Sequence, residues 1–176
     1  MNERVFQQEI RNSIKYFCPG SHYQKIPDPQ RSFDNTSYRP YDAFCLNKKN
    51  FVAFEYKQMK KPKSFPFDMV LDHQVYNLAN VMANLTPAYI LINYRFIFSE
   101  KQMQKYQTIQ NKYNFTIAFR IDWYMTIKTI LQDMLNIKSI SFEEYIWPFY
   151  QQKNNMIVEW IKHKDIWIWD MKKIIK

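Results

Sequence analysis

The chain has 176 residues, which suits one domain, and its 47% hydrophobic content with a mean hydropathy of −0.53 excludes both a disordered chain and a membrane protein. No apolar stretch reaches the roughly 18 residues that a membrane-spanning helix needs. Lys and Arg number 25 against 16 Asp and Glu, so the net charge is +9. We therefore expect residues 1–176 to form a single domain, and the excess of positive charge favours a nucleic acid as its partner.

Glycine and cysteine are scarce, which excludes several kinds of site. Gly20 is the only glycine, so the sequence lacks the glycine-rich loops with which P-loop enzymes and dinucleotide-binding domains hold phosphates. Cys18 and Cys45 make neither a disulfide framework nor a cluster of metal ligands, which suits a reducing compartment. The first ten residues carry charges where a signal peptide is apolar. We expect a cytoplasmic protein, and the abundance of residues with AT-rich codons suggests a low-GC bacterium or a bacteriophage as its source.

The first forty residues predict a helix, a short strand and a long loop. Apolar residues recur at helical spacing over residues 3–17, and the Pro19-Gly20 pair ends that helix. Residues 22–26 are predicted as a strand, and residues 27–40, rich in Pro, Asp, Asn and Ser, as a loop. Because so long a loop is unusual in a compact domain, we expect it to have a function.

The rest of the chain alternates between strands and helices. The predicted strands are 41–46, 51–57, 88–98 and 115–121. The predicted helices are 68–85, one capped by Ser99 and Gln102 and ending near residue 112, one capped by Asp122 and ending near Leu135, and one capped by Ser141 and Glu144. Three tryptophans between residues 155 and 176 need burial, although their spacing indicates no particular element. The order of elements predicts an α/β fold in which helices flank a mixed central sheet.

The hairpin formed by the second and third predicted strands has a register that can be worked out from the sequence. A two- or four-residue turn centred on Lys48-Lys49 pairs residues whose numbers sum to 97, so Asp42 faces Glu55. Paired residues project from the same face of a sheet with Cβ atoms about 5 Å apart. Lys57 joins Glu55 on that face because side chains alternate along a strand. A three- or five-residue turn would shift the pairing by one residue and separate these groups.

Two carboxylates beside a lysine are typical of a divalent cation site. Adjacent carboxylates repel each other unless a cation lies between them, and Mg²⁺ takes oxygen ligands while it keeps waters for a phosphate substrate. Lys57 would orient or deprotonate a water, or stabilise charge on the phosphate. The alternative is an exposed hairpin with ordinary surface charges, since Glu and Lys two residues apart are common on such strands.

A family resemblance favours the first interpretation. Asp42, followed after twelve residues by Glu55-Tyr56-Lys57, resembles the PD-(D/E)xK nuclease motif. Residues 53–74, AFEYKQMKKPKSFPFDMVLDHQ, are similar to the RecU family of Holliday junction resolvases. The similarity lies in the acid-x-lysine strand end, the Ser-Phe-Pro that begins at residue 64, and the His-Gln pair at residues 73 and 74. It implies a restriction-endonuclease-like core and Mg²⁺-dependent cleavage of DNA, with Mn²⁺ as a substitute.

The resemblance also implies roles for individual residues. Asp42 and Glu55 would bind the metal together with the Tyr56 carbonyl, and Lys57 would position the attacking water. Two further residues would complete the catalytic set, namely Glu9 in the first helix and Gln74. The sequence differs from the family at Cys45, where glycine is usual, and at Met59, where threonine is usual. The loop at residues 27–40 is short for the stalk region of the family.

Basic residues flank this motif and form the predicted DNA-binding surface. Residues 48–63 contain six lysines and one glutamate, and such a charge suits a DNA backbone. Tyr38-Arg39 in the long loop pairs a ring with a cation, which suits stacking on opened bases. The predicted DNA-binding residues are Lys25, Arg39, Lys48, Lys49, Lys60, Lys61 and Lys63. The alternative is a surface that serves solubility only.

The sequence therefore predicts a metal-dependent, structure-selective DNA endonuclease, with a four-way junction as the expected substrate. Such a junction has approximate twofold symmetry, so paired nicks predict a homodimer, whose interface we expect to use the apolar segments 88–98 and 155–169. One alternative is a restriction- or repair-type PD-(D/E)xK endonuclease on duplex DNA. The other is a DNA-binding protein without catalytic activity.

Overall fold

The computed structural model of the protein describes residues 3–27, 39–48, 50–164 and 166–175. The strands are β1 (His22–Lys25), β2 (Ala43–Asn47), β3 (Asn50–Met59), β4 (Phe65–Pro66), β5 (Ala88–Ile97), β6 (Lys112–Arg120), β7 (Ser139–Ile140), β8 (Ile157–Val158), β9 (Trp160–His163) and β10 (Ile166–Trp169). The α-helices are α1 (Glu3–Phe17), α2 (Asp72–Ala83), α3 (Glu100–Lys105), α4 (Ile121–Lys128) and α5 (Trp147–Gln151). None of the helices within these ranges has the length and apolar character needed to span a membrane.

A mixed six-stranded sheet forms the centre of the described part of the chain, in the order β1-β2-β3-β5-β6-β8. β3 and β5 are parallel, and the other neighbouring strands are antiparallel. Helices pack on both faces of the sheet, so the predicted fold class is confirmed.

The β2–β3 hairpin has the predicted register. Ala43 pairs with Phe54 and Leu46 with Phe51, so the paired numbers sum to 97. The strands close at the pair Asn47–Asn50, and Lys48 in the turn has a φ of 52°, a conformation that tight hairpin turns require.

The sheet separates two hydrophobic cores. On one face, Phe54, Tyr56 and Leu91 pack against Phe6 and Ile10 of α1. The opposite face packs against α2, α4 and the segments that follow them, around side chains that include Ala53, Ile90, Tyr94, Phe115 and Leu78. Because side chains alternate along β3, Glu55 and Lys57 lie on the α2 face, whereas Tyr56 lies on the α1 face.

The chain before α2 differs from the prediction of a helix over residues 68–85. Phe65–Pro66 pairs with β7, and Phe67–Met69 forms a 3₁₀ turn, so the helix begins at Asp72. Leu85, the last residue of the predicted helix, follows the end of the observed helix with a φ of 58° and is 97% exposed. The later start of the helix places Gln74 in its first turn.

Two of the predicted helix caps are present and one is wrong. The Ser99 side chain accepts a hydrogen bond from the Gln102 N–H, and Ser141 accepts one from the Glu144 N–H. Asp122 does not cap α4, because the helix begins at Ile121 and its N-cap is Arg120. Its carboxylate instead makes an ion pair with Arg120.

The C-terminal segment forms the β9–β10 hairpin, which packs on α1. Trp169 is fully buried against Phe6, with ring centroids 5.7 Å apart, whereas Trp167 is 53% exposed.

The expected use of residues 88–98 in a dimer interface is wrong for most of that segment. β5 lies between β3 and β6, so both rows of its side chains face a core.

Candidate active site

The candidate active site lies where β3 extends beyond its partner strand. Pairing of β2 with β3 ends at Ala43 and Phe54, whereas β3 continues to Met59. Asp42, which immediately precedes β2, is fully buried, and its Oδ2 accepts a hydrogen bond from the Tyr56 backbone N–H at 2.7 Å. A side chain thus satisfies a strand N–H where the neighbouring strand has ended.

Glu55, Lys57 and Gln74 form one buried hydrogen-bonded group. Glu55 Oε1 accepts from Lys57 Nζ at 2.9 Å and from Gln74 Nε2 at 2.6 Å. Gln74 Oε1 in turn accepts from Lys57 Nζ at 3.3 Å and from the Leu71 backbone N–H at 3.0 Å. The first turn of α2 therefore holds the amide that orients both Glu55 and Lys57.

The electrostatics of the group centre on Glu55, whose side chain is 1% exposed. Burial, and next the charge of Asp42, raise the pKa of Glu55 to about 7, against the opposing effects of Lys57 and Arg39. Glu55 Oε2 is buried and has no hydrogen-bond partner among the described residues. Burial and the charge of Asp42 thus outweigh Lys57 and Arg39 in their effect on the Glu55 carboxyl.

Asp42 has a cationic partner of its own. Arg39 makes an ion pair with Asp42 Oδ1, and its side chain is 19% exposed. We predicted Arg39 as a DNA-binding residue on an open loop, but its contact with Asp42 places it at the acidic group. The adjacent Tyr38 lies outside the described residues.

Glu3 is an acid near this site that the sequence analysis missed. Burial, followed by the charge of Asp42, raises the pKa of Glu3. Its Oε1 accepts a hydrogen bond from Gln7 Nε2 at 3.1 Å, and Gln7 is itself buried. The available signal was the helical spacing, because Glu3 lies three and seven residues before Phe6 and Ile10 on the buried stripe of α1.

Glu9, the helix acid expected to complete the site, is engaged elsewhere. Its carboxylate accepts two hydrogen bonds from Arg95, at 2.6 and 3.2 Å, and one from Trp169 Nε1 at 3.2 Å. These contacts link α1 to β5 and β10 on the face of the sheet opposite Glu55. Glu9 does not contact the Asp42–Glu55 group, because Glu9 lies on a different side of α1 from Glu3.

The predicted DNA-binding lysines are distributed around the site. Lys25 ends β1, where its charge lowers the pKa of Glu3 against the stronger effect of burial. Lys48 lies in the hairpin turn, and Lys49 falls outside the described residues. Lys60, Lys61 and Lys63 follow β3 and are exposed. The structure thus places lysines at both ends of β3.

The donor set fits a hard divalent cation. Asp42 and Glu55 supply carboxylate oxygens, and Glu55 Oε2 is a buried oxygen without a partner among the described residues. No group of three or more His, Cys, Asp and Glu residues that could hold a metal ion occurs in the described ranges. Mg²⁺ is commonly bound through one or two carboxylates with water and substrate phosphate as its other ligands, so two carboxylates suffice for that ion.

Comparison with known proteins gives a match in structure only. No family model and no curated protein matches the sequence. Among solved structures, the chain is similar to Hjc of Archaeoglobus fulgidus, a Holliday junction resolvase from an archaeal hyperthermophile, with 18% sequence identity and a TM-score of 0.33. The similarity covers 52% of this chain and 64% of the Hjc chain.

Proposed function

We propose that the protein is a metal-dependent DNA endonuclease. The observation that carries this proposal is the buried group of Asp42, Glu55 and Lys57 at the open edge of β3, in which the pKa of Glu55 is raised to about 7. A buried carboxylate whose pKa is raised in this way costs stability in the absence of a ligand, even with Lys57 beside it. Such a group is consistent with a site built for a cation and a phosphate.

Each residue would have a distinct role. Asp42 and Glu55 would hold the cation, which, when bound, lowers the pKa of water and polarises a phosphate oxygen. Lys57 Nζ uses two of its three N–H groups on Glu55 and Gln74, which leaves the third to donate to the attacking water or a phosphate oxygen. Gln74 would keep Glu55 and Lys57 in position.

The finer proposal is a junction resolvase of the RecU type, which acts in DNA recombination and repair. The resemblance of residues 53–74 to that family supports it, as do the lysines at both ends of β3. In-line attack of water on the phosphorus, with cleavage of the bond to the 3′ oxygen and protonation of that leaving oxygen, would leave 5′-phosphate and 3′-hydroxyl ends. We further propose a homodimer, since two symmetric nicks in a four-way junction need two active sites related by a twofold axis.

The decisive test is cleavage of a labelled, immobile four-way junction beside a linear duplex of the same sequence. Wild type and Asp42→Asn would be compared with Mg²⁺ and with EDTA. We expect paired Mg²⁺-dependent nicks in the junction alone, lost in the variant. Equal cutting of the duplex would instead support a restriction- or repair-type nuclease. Tight binding without any cutting would leave a DNA-binding protein and exclude the catalytic proposal.

A further inference from the structure

An open cleft lies at the end of β3, β5 and β6 that is furthest from the hairpin turn. Its volume is about 720 Å³, and four cations line it: Lys60, Lys61, Arg95 and Lys112. Arg95 makes an ion pair with Glu9 of α1, which does not line the cleft. None of the described residues lining the cleft is acidic. The three lysines are exposed, so the cleft presents a positive surface.

The β9–β10 hairpin presents an aromatic ring near this cleft. Trp167 is 53% exposed, and its ring lies parallel to that of Trp160, with an interplanar angle of 3° and centroids 6.0 Å apart. Trp167 pairs across the hairpin with Lys162, which is also exposed. A tryptophan supported on one side by a second ring and accompanied by a lysine is a suitable platform for a nucleobase.

Arg95 connects the cleft with the hairpin. It lines the cleft, and its guanidinium carbon lies 5.9 Å from the centroid of the Trp160 ring. Trp160 in turn contacts Trp167. The exposed ring of Trp167 is therefore one aromatic ring beyond Arg95, a residue that lines the cleft.

We propose that the cleft and Trp167 together bind an unpaired segment of DNA, the lysines holding its backbone and Trp167 stacking on a base. The inference rests on the proposed function for the identity of the nucleic acid as DNA. It adds that the substrate contains unpaired nucleotides, because a base within a duplex is stacked on both faces and cannot cover a tryptophan ring. Proteins that bind single strands combine a positive groove with such rings.

The test measures binding in the Asp42→Asn background, so that no DNA is cut. The probes are a fluorescein-labelled oligothymidylate of about 16 nucleotides and a duplex of equal length, followed by fluorescence anisotropy. Trp167→Ala is compared with Trp123→Ala, a matched control because Trp123 on α4 is 57% exposed and does not line the cleft. Trp167→Leu keeps apolar contact with Trp160 and replaces the alanine variant if circular dichroism shows misfolding.

We expect Trp167→Ala to weaken oligothymidylate binding at least about fivefold and duplex binding less than twofold, with Trp123→Ala changing neither. Lys112→Ala should lower the slope of log affinity against log salt for the oligothymidylate by about 0.7. The inference is overturned if Trp167→Ala and Trp167→Leu bind oligothymidylate like the parent, if both probes lose affinity equally, or if the parent does not bind oligothymidylate at low salt.

The two proposals fail in different ways. If the unmutated protein cuts no DNA but the Trp167 variants lose oligothymidylate binding, the nuclease proposal fails and the binding site stands. If the protein cuts junctions and the Trp167 variants bind both probes normally, the nuclease proposal stands and the inference about unpaired DNA fails.

Discussion

Asp42 Oδ2 lies 2.7 Å from the backbone nitrogen of Tyr56 and accepts its hydrogen bond. The proposed metal-binding acid is therefore also part of the backbone structure of β3. Catalysis and stability at this position can be separated, because asparagine keeps an acceptor oxygen for that N–H whereas alanine does not.

We expect both Asp42→Asn and Asp42→Ala to lose cleavage and the ion pair with Arg39, and Asp42→Ala to be the less stable of the two. The buried Tyr56 N–H left without an acceptor should cost about 1–3 kcal/mol. Urea denaturation of both variants, with junction cleavage measured in parallel, checks this. Equal stability of the two variants would show that the hydrogen bond is not required for folding.

The raised pKa of Glu55 predicts how stability depends on pH in EDTA. Between its ordinary value of 4.5 and about 7, the folded protein holds a proton that the unfolded chain releases. The free energy of unfolding should therefore fall as pH rises through this window. Glu55→Gln removes the effect, so the variant should be the more stable protein at pH 8, by up to roughly 3 kcal/mol, with little difference below pH 4.5.

Urea denaturation across this pH range measures the difference between Glu55→Gln and wild type. Glu144→Gln is the matched control, because Glu144 is exposed, and its profile should follow that of wild type. If the difference in stability between wild type and Glu55→Gln is the same at pH 5 and pH 8, the raised pKa of Glu55 is contradicted.

Metal binding should stabilise the folded protein through Asp42 and Glu55. At a Mg²⁺ concentration 100 times its Kd, linkage adds about 2.7 kcal/mol, which for a chain of this size raises Tm by roughly 5–10 °C. Asp42→Asn and Glu55→Gln should lose most of this rise. Differential scanning calorimetry with NaCl at matched ionic strength as the control separates specific binding from screening.

Glu3 and Glu9 should respond differently to the same substitution. Glu9→Gln breaks the ion pair with Arg95 and should cost about 1–3 kcal/mol of stability while cleavage by the folded protein persists. Glu3→Gln should leave stability nearly unchanged but alter the Mg²⁺ concentration needed for cleavage, because it removes a charge near Asp42. These assignments would be reversed if Glu9→Gln lost activity and Glu3→Gln kept the Mg²⁺ dependence of wild type.

Lys57→Ala should reduce cleavage by on the order of 100- to 1,000-fold and leave DNA binding nearly unchanged. The amine makes one contact with Glu55 and one with Gln74, and its remaining donor faces the substrate under the proposed mechanism. Single-turnover cleavage and anisotropy of the same labelled junction measure the two effects. A parallel loss of binding would instead assign Lys57 to substrate affinity.

The relation between Asp42, Glu55 and Lys57 could be predicted from the sequence because it is local. A two-residue turn and the alternation of side chains along a strand determine which residues share a face, and all three residues lie within sixteen consecutive positions. The helix of α1 and the capping of α3 by Ser99 were predictable for the same reason. Each depends on spacing within one element.

The tertiary structure decided which distant groups meet the local ones. Glu3 rather than Glu9 lies near Asp42, and Arg39 contacts Asp42, because the packing of α1 and of the chain before β2 on the sheet depends on long-range contacts. Trp167 is 53% exposed whereas Trp169, two positions further along β10, is fully buried, a difference that the alternation of side chains along a strand does not predict. Sequence periodicity specifies the face of an element, whereas the partner of that face is determined only when the elements pack together.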